Sequence, residues 1–230
     1  MMPDTIAMEG YNAIFFDMDG TLIESFLGES VVIRMAFETL GLGVLTDNQI
    51  RSLIGPSWED GLKALGICGE TMQSVIDICA GNEEMQMSHT RPFAGIQRLL
   101  KRLHEMGTLI YIVTNNYETF AKSSMEKYEL AEYIDRIFGQ VENAIISKTE
   151  LLMRAKETLG GGMRAVVVGD RRYDIMAAAE AGMDAVAVLY GYAEDSEFEG
   201  CPLVAELRSV EELEEWLLKK ISINPPPTVR

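Results

Sequence analysis

The sequence has 230 residues, of which 47% are hydrophobic and 24% charged, as in an ordinary globular protein of one large domain or a domain with an insertion. Acidic residues outnumber basic ones by 36 to 20, which gives a formal net charge of -16. Because nucleic acids and anionic membranes bind clustered Lys and Arg, this composition predicts neither of them as a partner.

The first predicted element is a buried strand at 13–16, because this apolar run is too short and too β-prone for a helix. Asp17 and Asp19 follow it directly, and Gly20 ends it. Two like charges at about 4 Å repel by roughly 4 kcal/mol at an effective dielectric of 20. A hard divalent cation such as Mg²⁺ would relieve that repulsion, so the stretch predicts a metal-assisted site.

Two other interpretations of the same stretch are open. Asp and Gly are common turn formers, so the segment also fits a surface turn. A calcium-binding loop fits less well, because it needs Gly at position 6 and a bidentate Glu at position 12. Counted from Asp17, the glycine falls at position 4 and position 12 is Gly28.

The segment 25–90 has helical patterns and no convincing alternation of polar and apolar residues. Thr46 and Gln49 form a capping-box signature, and Gly55-Pro56 separates two of the predicted helices. The predicted helices lie at 31–40, 47–54, 57–65 and 70–87. We therefore predict an all-helical cap domain at 25–90 that selects the substrate, inserted between core segments 1–24 and 91–230.

From residue 91 onward, helices and strands alternate. The predicted helices lie at 95–106, 118–128, 147–159, 172–181 and 209–220, and the predicted strands at 108–113, 137–141, 165–168 and 184–189. This alternation implies right-handed βαβ crossovers and an α/β fold with a doubly wound, mostly parallel sheet, a Rossmann-like core. The proline-rich segment 224–227 is expected to pack irregularly.

Such sheets bind ligands at the carboxyl ends of their strands, and polar residues follow the predicted strands there. Asp17 and Asp170, with Asp174 nearby, can hold Mg²⁺ in an oxygen shell. A carboxylate beside a metal and a bound phosphate can attack phosphorus, and Asp19 could protonate the leaving oxygen and later activate water.

Three further residues on this rim suit phosphate. Thr114 and Asn115 can donate hydrogen bonds to phosphate oxygens, and Lys148 adds a positive charge close to a helix N-terminus, where anions bind well. Each feature alone also fits a turn, a helix start or a solvated lysine. Their joint occurrence at strand and helix termini favours a phosphate site.

In these motifs the chain resembles haloacid dehalogenase superfamily phosphatases that carry a helical cap after the first motif. The resemblance spans about 13–220 and rests on Asp17 to Thr21, Thr114 to Asn116, Lys148, and Gly169-Asp170 through Asp174. It implies Asp17 as the nucleophile and Asp19 as the general acid/base. It also implies phosphate binding by Thr114, Asn115 and Lys148, and Mg²⁺ binding by Asp17, the backbone carbonyl of Asp19, Asp170 and, as ligand or support, Asp174.

Within the superfamily the chain is most similar to phosphoglycolate phosphatases, which implies a small phosphorylated metabolite as substrate. Arg171 departs from that pattern, because those enzymes typically carry a small polar residue after Gly-Asp. The alternatives are a nucleotide or sugar phosphatase, phosphoryl transfer like that of β-phosphoglucomutase, and a receiver-type signalling domain that is phosphorylated on Asp. Trp58 can either line the substrate chamber or pack in the cap.

Cysteine usage and the apolar runs indicate the compartment. Cys68, Cys79 and Cys201 are odd in number and form no C-x-x-C pair, which favours reduced thiols. We expect no signal peptide, since no basic segment precedes a long apolar one near residue 1, and no apolar run approaches the roughly 18 residues of a membrane span. The expectation is a cytoplasmic monomer or homodimer without membrane contact.

Overall fold

A computed structural model describes residues 10–141, 144–194 and 196–221. The strands in chain order are β1 (Ala13–Phe16), β2 (Ile23–Glu24), β3 (Arg91–Pro92), β4 (Leu109–Tyr117), β5 (Arg136–Gln140), β6 (Ala165–Gly169), β7 (Asp184–Val188) and β8 (Ala205–Leu207). The first five helices are α1 (Phe26–Thr39), α2 (Asp47–Leu53), α3 (Trp58–Ala64), α4 (Gly69–Ala80) and α5 (Glu83–Ser88). The later ones are α6 (Ile96–Glu105), α7 (Glu118–Lys127), α8 (Lys148–Glu157), α9 (Arg172–Glu180) and α10 (Val210–Lys220), with a 3-10 turn at Ala131–Tyr133.

Six of the strands form one sheet in the order β5-β4-β1-β6-β7-β8, and every neighbouring pair in it is parallel. The chain runs outward from β1 through β4 to β5, then returns to the other side of β1 and runs outward again through β6, β7 and β8. The order therefore reverses beside β1, where a doubly wound sheet binds its ligand. The predicted α/β fold class is confirmed.

The side chains of β1 alternate between the two faces of the sheet, as the period of a strand requires. Ile14 and Phe16 belong to a core cluster with residues of α6, α7 and α10. Ala13 and Phe15 belong to a second cluster with residues of α8 and α9. All four β1 side chains are fully buried, so the strand that precedes Asp17 is held on both faces.

The helices α1 to α5 lie between β2 and β3 and have an apolar cluster of their own, which includes Val32, Ile33, Ile50 and Leu62. β2 and β3 pair antiparallel, so the chain enters and leaves this helical cap side by side. An ion pair of 2.7 Å between Glu24 and Arg91 joins the two strands. The domain limits at 24/25 and 90/91 fall in this ribbon and stay a prediction.

Several sequence predictions of local structure were wrong. The single helix expected at 70–87 is two helices, because the chain turns at Gly81 and Asn82 between α4 and α5. β4 continues to Tyr117 instead of ending at 113, with an irregular register between Val113 and Tyr117. The strands β2, β3 and β8 were missed, since two or three residues are too few to show a period.

Some predictions fall on residues outside the described ranges, namely the ends of the core segments at 1–9 and 222–230 and the proline-rich segment at 224–227. Among the helices that the structure describes, none combines the length and the apolar character needed to cross a membrane.

Candidate active site

Three buried carboxylates meet at the carboxyl ends of β1 and β6. Asp17 follows β1 directly and Asp170 follows β6, and these two strands are paired in register from Ala13 to Phe16. Asp174 lies in the first turn of α9. Each acid contributes a carboxylate oxygen to a group whose atoms all lie within 4.8 Å of one another. The structure therefore brings together three of the four predicted metal-site residues through their side chains.

Lys148 inserts its ammonium group among these acids. Its Nζ lies 2.5 Å from Asp17 Oδ1 and 2.9 Å from Asp174 Oδ1, and all three side chains are buried. The residue is placed by the start of α8, where the Ser147 hydroxyl accepts a hydrogen bond from the backbone N–H of Glu150. Burial alone would lower the pKa of Lys148, but the two carboxylates outweigh it and raise that pKa above its usual value. Lys148 therefore stays charged.

Asp170 is held from two directions. The Thr21 hydroxyl donates to its Oδ1 at 3.1 Å, and the backbone N–H of Tyr192 donates to its Oδ2 at 2.8 Å. Gly20 lies against the same carboxylate with φ +86°, and a Cβ there would stand 2.1 Å from Asp170 Oδ2. The motif thus needs glycine at position 20 for both its backbone conformation and the close approach of an acid.

The buried environment disfavours the charged forms of the clustered acids. Burial raises the pKa of Asp17 to about 7, with Asp174 adding to the shift and Lys148 opposing it. Burial also raises the pKa of Asp170 well above its usual value, and the Asp17 and Asp174 carboxylates add to it. A hard cation that prefers carboxylate oxygen would stabilise the charged forms. The residues present therefore fit Mg²⁺.

Asp19 lies apart from the three clustered acids. Its carboxylate accepts a hydrogen bond of 3.4 Å from the Asn116 side chain, and burial raises its pKa. A carboxyl group with a raised pKa keeps its proton to a higher pH than usual and can give it up to a leaving group. The sequence motif Thr114 to Asn116 does not by itself indicate what Asn116 does, and this contact assigns its side chain to Asp19.

The predicted phosphate-binding residues reach the same rim. Thr114 is buried, and its hydroxyl accepts a hydrogen bond of 3.1 Å from the backbone N–H of Asn116. The Asn115 amide donates at 2.7 Å to the carbonyl of Gly55, a residue of the cap. The structure thus places Thr114, Asn115 and Lys148 around Asp17, and it ties one of them to the cap.

A cavity of about 30 Å³ lies between the core and the cap. It is lined by Asp17, Asp19, Thr114, Asn115 and Asn116 of the core and by Glu29, Leu53, Ile54, Gly55, Pro56 and Trp58 of the cap. Trp58 lines this cavity and also packs against the apolar cluster of the cap, so it has both of the expected placements; its contact with substrate stays a prediction. The cavity extends from the predicted catalytic acids to residues of the cap, most of which the sequence analysis did not identify.

Arg171 holds the cap and does not line this cavity. Its guanidinium donates to the carbonyl of Ile54, to the carbonyl of Arg51 at 3.2 Å, and to Glu197 at 2.9 Å. The two carbonyls belong to the C-terminal end of α2, where helix carbonyls run out of partners within the helix. The Arg51 carbonyl also accepts a hydrogen bond from the backbone N–H of Ile54, the C-cap residue. The residue that departs from the phosphoglycolate phosphatase pattern therefore joins the core to the cap.

Glu29 is the cavity residue that the sequence prediction missed. It lies in the first turn of α1 and is buried, with only 5% of its surface exposed. A signal was available, because Glu29 precedes the buried Val32 and Ile33 by three and four residues and so lies on the apolar face of the helix.

Comparison with known proteins assigns the class. The family model for Haloacid dehalogenase-like hydrolase matches residues 14–188, which is well over half of the chain. The chain therefore belongs to the haloacid dehalogenase-like hydrolase family, and the predicted resemblance is confirmed.

Individual relatives are similar at modest identity. A protein of Mycobacterium tuberculosis named tyrosine-protein kinase PtkA is 27% identical over 91% of this chain and 73% of its own length. A phosphoglycolate phosphatase of Vibrio parahaemolyticus is 26% identical over 78% of this chain and 84% of its own. The solved structure of "a predicted phosphatase from Clostridium acetobutylicum" covers 91% of this chain and 99% of its own at 25% identity, with a TM-score of 0.84. The prediction of an enzyme of the phosphatase type agrees with the family and with two of these names.

Proposed function

We propose that the chain is a Mg²⁺-dependent phosphomonoesterase that hydrolyses a small phosphorylated metabolite through an aspartyl-phosphate on Asp17. The observation that carries this proposal is the convergence of Asp17, Asp170, Asp174 and Lys148 at the topological switch point. This set combines hard oxygen ligands with a fixed positive charge beside one carboxylate. Phosphoryl transfer requires these features, since its catalysis consists mainly of positioning and charge neutralisation.

Asp17, Asp170, Asp174 and the backbone carbonyl of Asp19 would hold the metal. When bound, Mg²⁺ supplies charge neutralisation for the phosphoryl oxygens and for the clustered acids. Thr21 and the backbone N–H of Tyr192 orient Asp170 for this role, since both oxygens of its carboxylate are engaged.

Asp17 attacks phosphorus with its carboxylate, so that a P–O bond to Asp17 forms as the bond to the leaving oxygen breaks. Asp19 gives its proton to that leaving oxygen and then takes a proton from the water that attacks the aspartyl-phosphate. Asn116 orients the Asp19 carboxylate through its 3.4 Å hydrogen bond. The raised pKa of Asp19 suits the first of these steps, because the group must carry a proton before it can donate one.

Thr114, Asn115 and Lys148 hold the transferred phosphate. The Lys148 ammonium already lies 2.5 Å from the Asp17 oxygen, which is the place where a phosphoryl group would be received. The Asn115 amide now donates to Gly55. Phosphate binding by this amide would exchange a contact with the cap for one with the substrate, and so would connect substrate arrival to the position of the cap.

The cap selects the substrate and excludes water when it closes over the cavity. A small metabolite fits the confined space between the cap and Asp17 better than a polymer does. The net charge of -16 disfavours nucleic acids and anionic membranes as partners. We propose a cytoplasmic location, and a monomer or homodimer as the assembly.

Hydrolysis of p-nitrophenyl phosphate tests the proposal, measured with Mg²⁺, with EDTA, and in the variant Asp17→Asn. Turnover is expected only with Mg²⁺ and with Asp17 intact, and the variant should keep the circular dichroism spectrum of the wild type. The matched control is Asp77→Asn on the exposed face of α4, which should retain full activity. Wild-type turnover in EDTA, or activity in Asp17→Asn, would refute the metal or the nucleophile.

The same assay separates the other activities. Stoichiometric release of inorganic phosphate excludes a mutase and a passive receiver domain, because neither liberates phosphate at a high rate. The similarity to the mycobacterial protein named tyrosine-protein kinase motivates one more arm, in which the protein is incubated with ATP and a tyrosine-containing peptide. Peptide phosphorylation that exceeds hydrolysis would favour transfer over hydrolysis.

A further inference from the structure

Glu29 contributes a buried carboxyl group from the cap to the wall of the cavity that Asp17 and Asp19 also line. Its Oε1 accepts a hydrogen bond of 2.7 Å from the Gln86 side chain of α5. Its Oε2 is buried and has no hydrogen-bond partner in the described part of the chain. A buried acceptor without a partner costs about 1–3 kcal/mol, and more when it is charged. Such an atom at the wall of a binding cavity points to a ligand that satisfies it.

The position of Glu29 matches the leaving group. Asp17 attacks phosphorus from the core and Asp19 protonates the oxygen that departs, so the remainder of the substrate extends away from Asp17 toward the cap. The cavity of about 30 Å³ is small, given the 10–15 Å³ or so that a single water requires. A leaving group that enters this cavity therefore has Glu29 among the few side chains that it can contact.

The cavity lining has a one-sided charge. Asp17, Asp19 and Glu29 are acidic, and the lining contains no Lys, Arg or His. Burial and the Asp19 carboxylate therefore raise the pKa of Glu29 well above its usual value. Lys148 is occupied by Asp17 and Asp174, and Arg171 by cap carbonyls and Glu197. A second acidic group on the substrate would add negative charge there without a facing cation. An ammonium or hydroxyl donor would instead satisfy the Glu29 oxygen that has no partner and would favour the charged form of Glu29.

We propose, on the basis of the function proposed above, that Glu29 selects the leaving group by accepting a hydrogen bond from a hydroxyl or ammonium group close to its ester oxygen. The substrate class is then a phosphomonoester of a small polyol or amino alcohol, and a leaving group with its own carboxylate is disfavoured. Gln86 positions Glu29 for this contact by holding the other oxygen. The chain would accordingly differ in specificity from its relatives named phosphoglycolate phosphatase.

A matched series of substrates tests the proposal. Ethyl phosphate, 2-hydroxyethyl phosphate, phosphoethanolamine and 2-phosphoglycolate share a phosphate and a short carbon chain, and they differ in the group that would face Glu29. We expect kcat/KM for the hydroxyl or ammonium ester to exceed that for ethyl phosphate by at least about tenfold. A hydrogen bond to a charged group contributes enough free energy for a ratio of that size. The glycolate ester should be the poorest of the series. Comparison of 2-hydroxyethyl phosphate with phosphoethanolamine shows whether the site prefers a hydroxyl or an ammonium donor.

Glu29→Gln should erase the preference for the ammonium ester over ethyl phosphate and raise kcat/KM for the glycolate ester relative to ethyl phosphate. The control Glu38→Gln, on the exposed face of the same helix, should leave all ratios unchanged. Calorimetric titration of Asp17→Asn with phosphoethanolamine and 2-phosphoglycolate gives the same comparison without turnover.

The outcomes separate the two proposals. If no member of the series is hydrolysed, both the proposed function and the role of Glu29 are overturned. If ethyl phosphate is hydrolysed but the glycolate ester is the best substrate, the function stands and the role of Glu29 is refuted. Should Glu29→Gln not fold, the ratios of the wild type decide alone, since equal kcat/KM across the series also refutes the role.

Discussion

Removal of the Lys148 ammonium provides a direct test of the electrostatics of the site. Lys148→Met keeps an unbranched side chain of similar length and deletes the charge that lies 2.5 Å from Asp17 and 2.9 Å from Asp174. At 2.9 Å and an effective dielectric of 20, each contact is worth about 6 kcal/mol before the cost of desolvation. Since burial of the ammonium takes back much of that gain, the loss of one partner from a buried ion pair costs about 3–5 kcal/mol.

Urea unfolding at pH 8 measures this loss, in EDTA and in excess Mg²⁺. This pH lies above the pKa of about 7 to which burial raises Asp17 in the wild type. Because Lys148 opposes that rise, Lys148→Met should raise the pKa of Asp17 further, and the loss of stability should widen as the pH increases. We expect Lys148→Met to be less stable than the wild type by about 3–5 kcal/mol in EDTA. In Mg²⁺ the deficit should shrink by at least about 1 kcal/mol, because a ligand at 100 times its Kd stabilises by about 2.7 kcal/mol and binds the unshielded acids more tightly.

The matched control is Lys122→Met, which removes an exposed lysine of α7 and should change stability by less than about 0.5 kcal/mol. Two results would refute the reasoning. A deficit in EDTA below about 1 kcal/mol would mean that Lys148 does not offset the acids. An equal loss of stability in EDTA and in Mg²⁺ would mean that the cation does not bind at the carboxylates that Lys148 contacts.

Two further predictions concern single carboxylates. Asp19→Asn should slow hydrolysis by about 10²–10⁴-fold and lengthen the life of the aspartyl-phosphate, which acid-quenched labelling would detect, because it removes the proton donor and acceptor; an unchanged rate would exclude Asp19 from that role. Burial alone would raise the pKa of Glu214, but hydrogen bonds from Arg98 and Arg102 outweigh it and lower that pKa. A lowered pKa stabilises the fold above the ordinary Glu value of about 4.3 and loses that contribution as the pH falls through the folded value. Glu214→Gln should therefore cost about 1 kcal/mol at pH 7 and progressively less as the pH falls below the ordinary Glu value of about 4.3, as measured by urea unfolding; a gap that does not narrow in acid would contradict the ion pairs.

The central architecture was predictable because its signals are long or chemically unusual. An apolar run at 13–16 that ends in two acids identifies a buried strand at a ligand-binding edge, and the structure has that strand at the middle of the sheet. The alternation of helical and strand patterns after residue 91 was sufficient to predict a parallel sheet. Elements of two or three residues, such as β2 and β3, are specified by tertiary pairing and not by their own sequence, so periodicity could not show them.

The contacts between the cap and the core were not predictable in the same way. Arg171 was noticed as a rim residue, but its partners are backbone carbonyls of α2, which carry no mark in the sequence. Asn115 likewise donates to the carbonyl of Gly55. Glu29 is a different case, since its place on an apolar helix face marked it as a buried acid, although its direction toward the cavity depends on the packing of α1 against α5.

The charge of the site explains why metal and substrate would bind together. The clustered carboxylates of Asp17, Asp170 and Asp174 outnumber the single ammonium of Lys148, and the chain as a whole is strongly acidic. A phosphate dianion approaching this cluster alone would be repelled. One divalent cation brings the cluster to no net charge, so that the hydrogen-bond donors of Thr114, Asn115 and Lys148 can act on the phosphate without opposition. In the proposed mechanism Asp19 and Glu29, which line the same cavity, would face the leaving group, where a proton must be delivered and where a hydrogen-bond donor would be favoured.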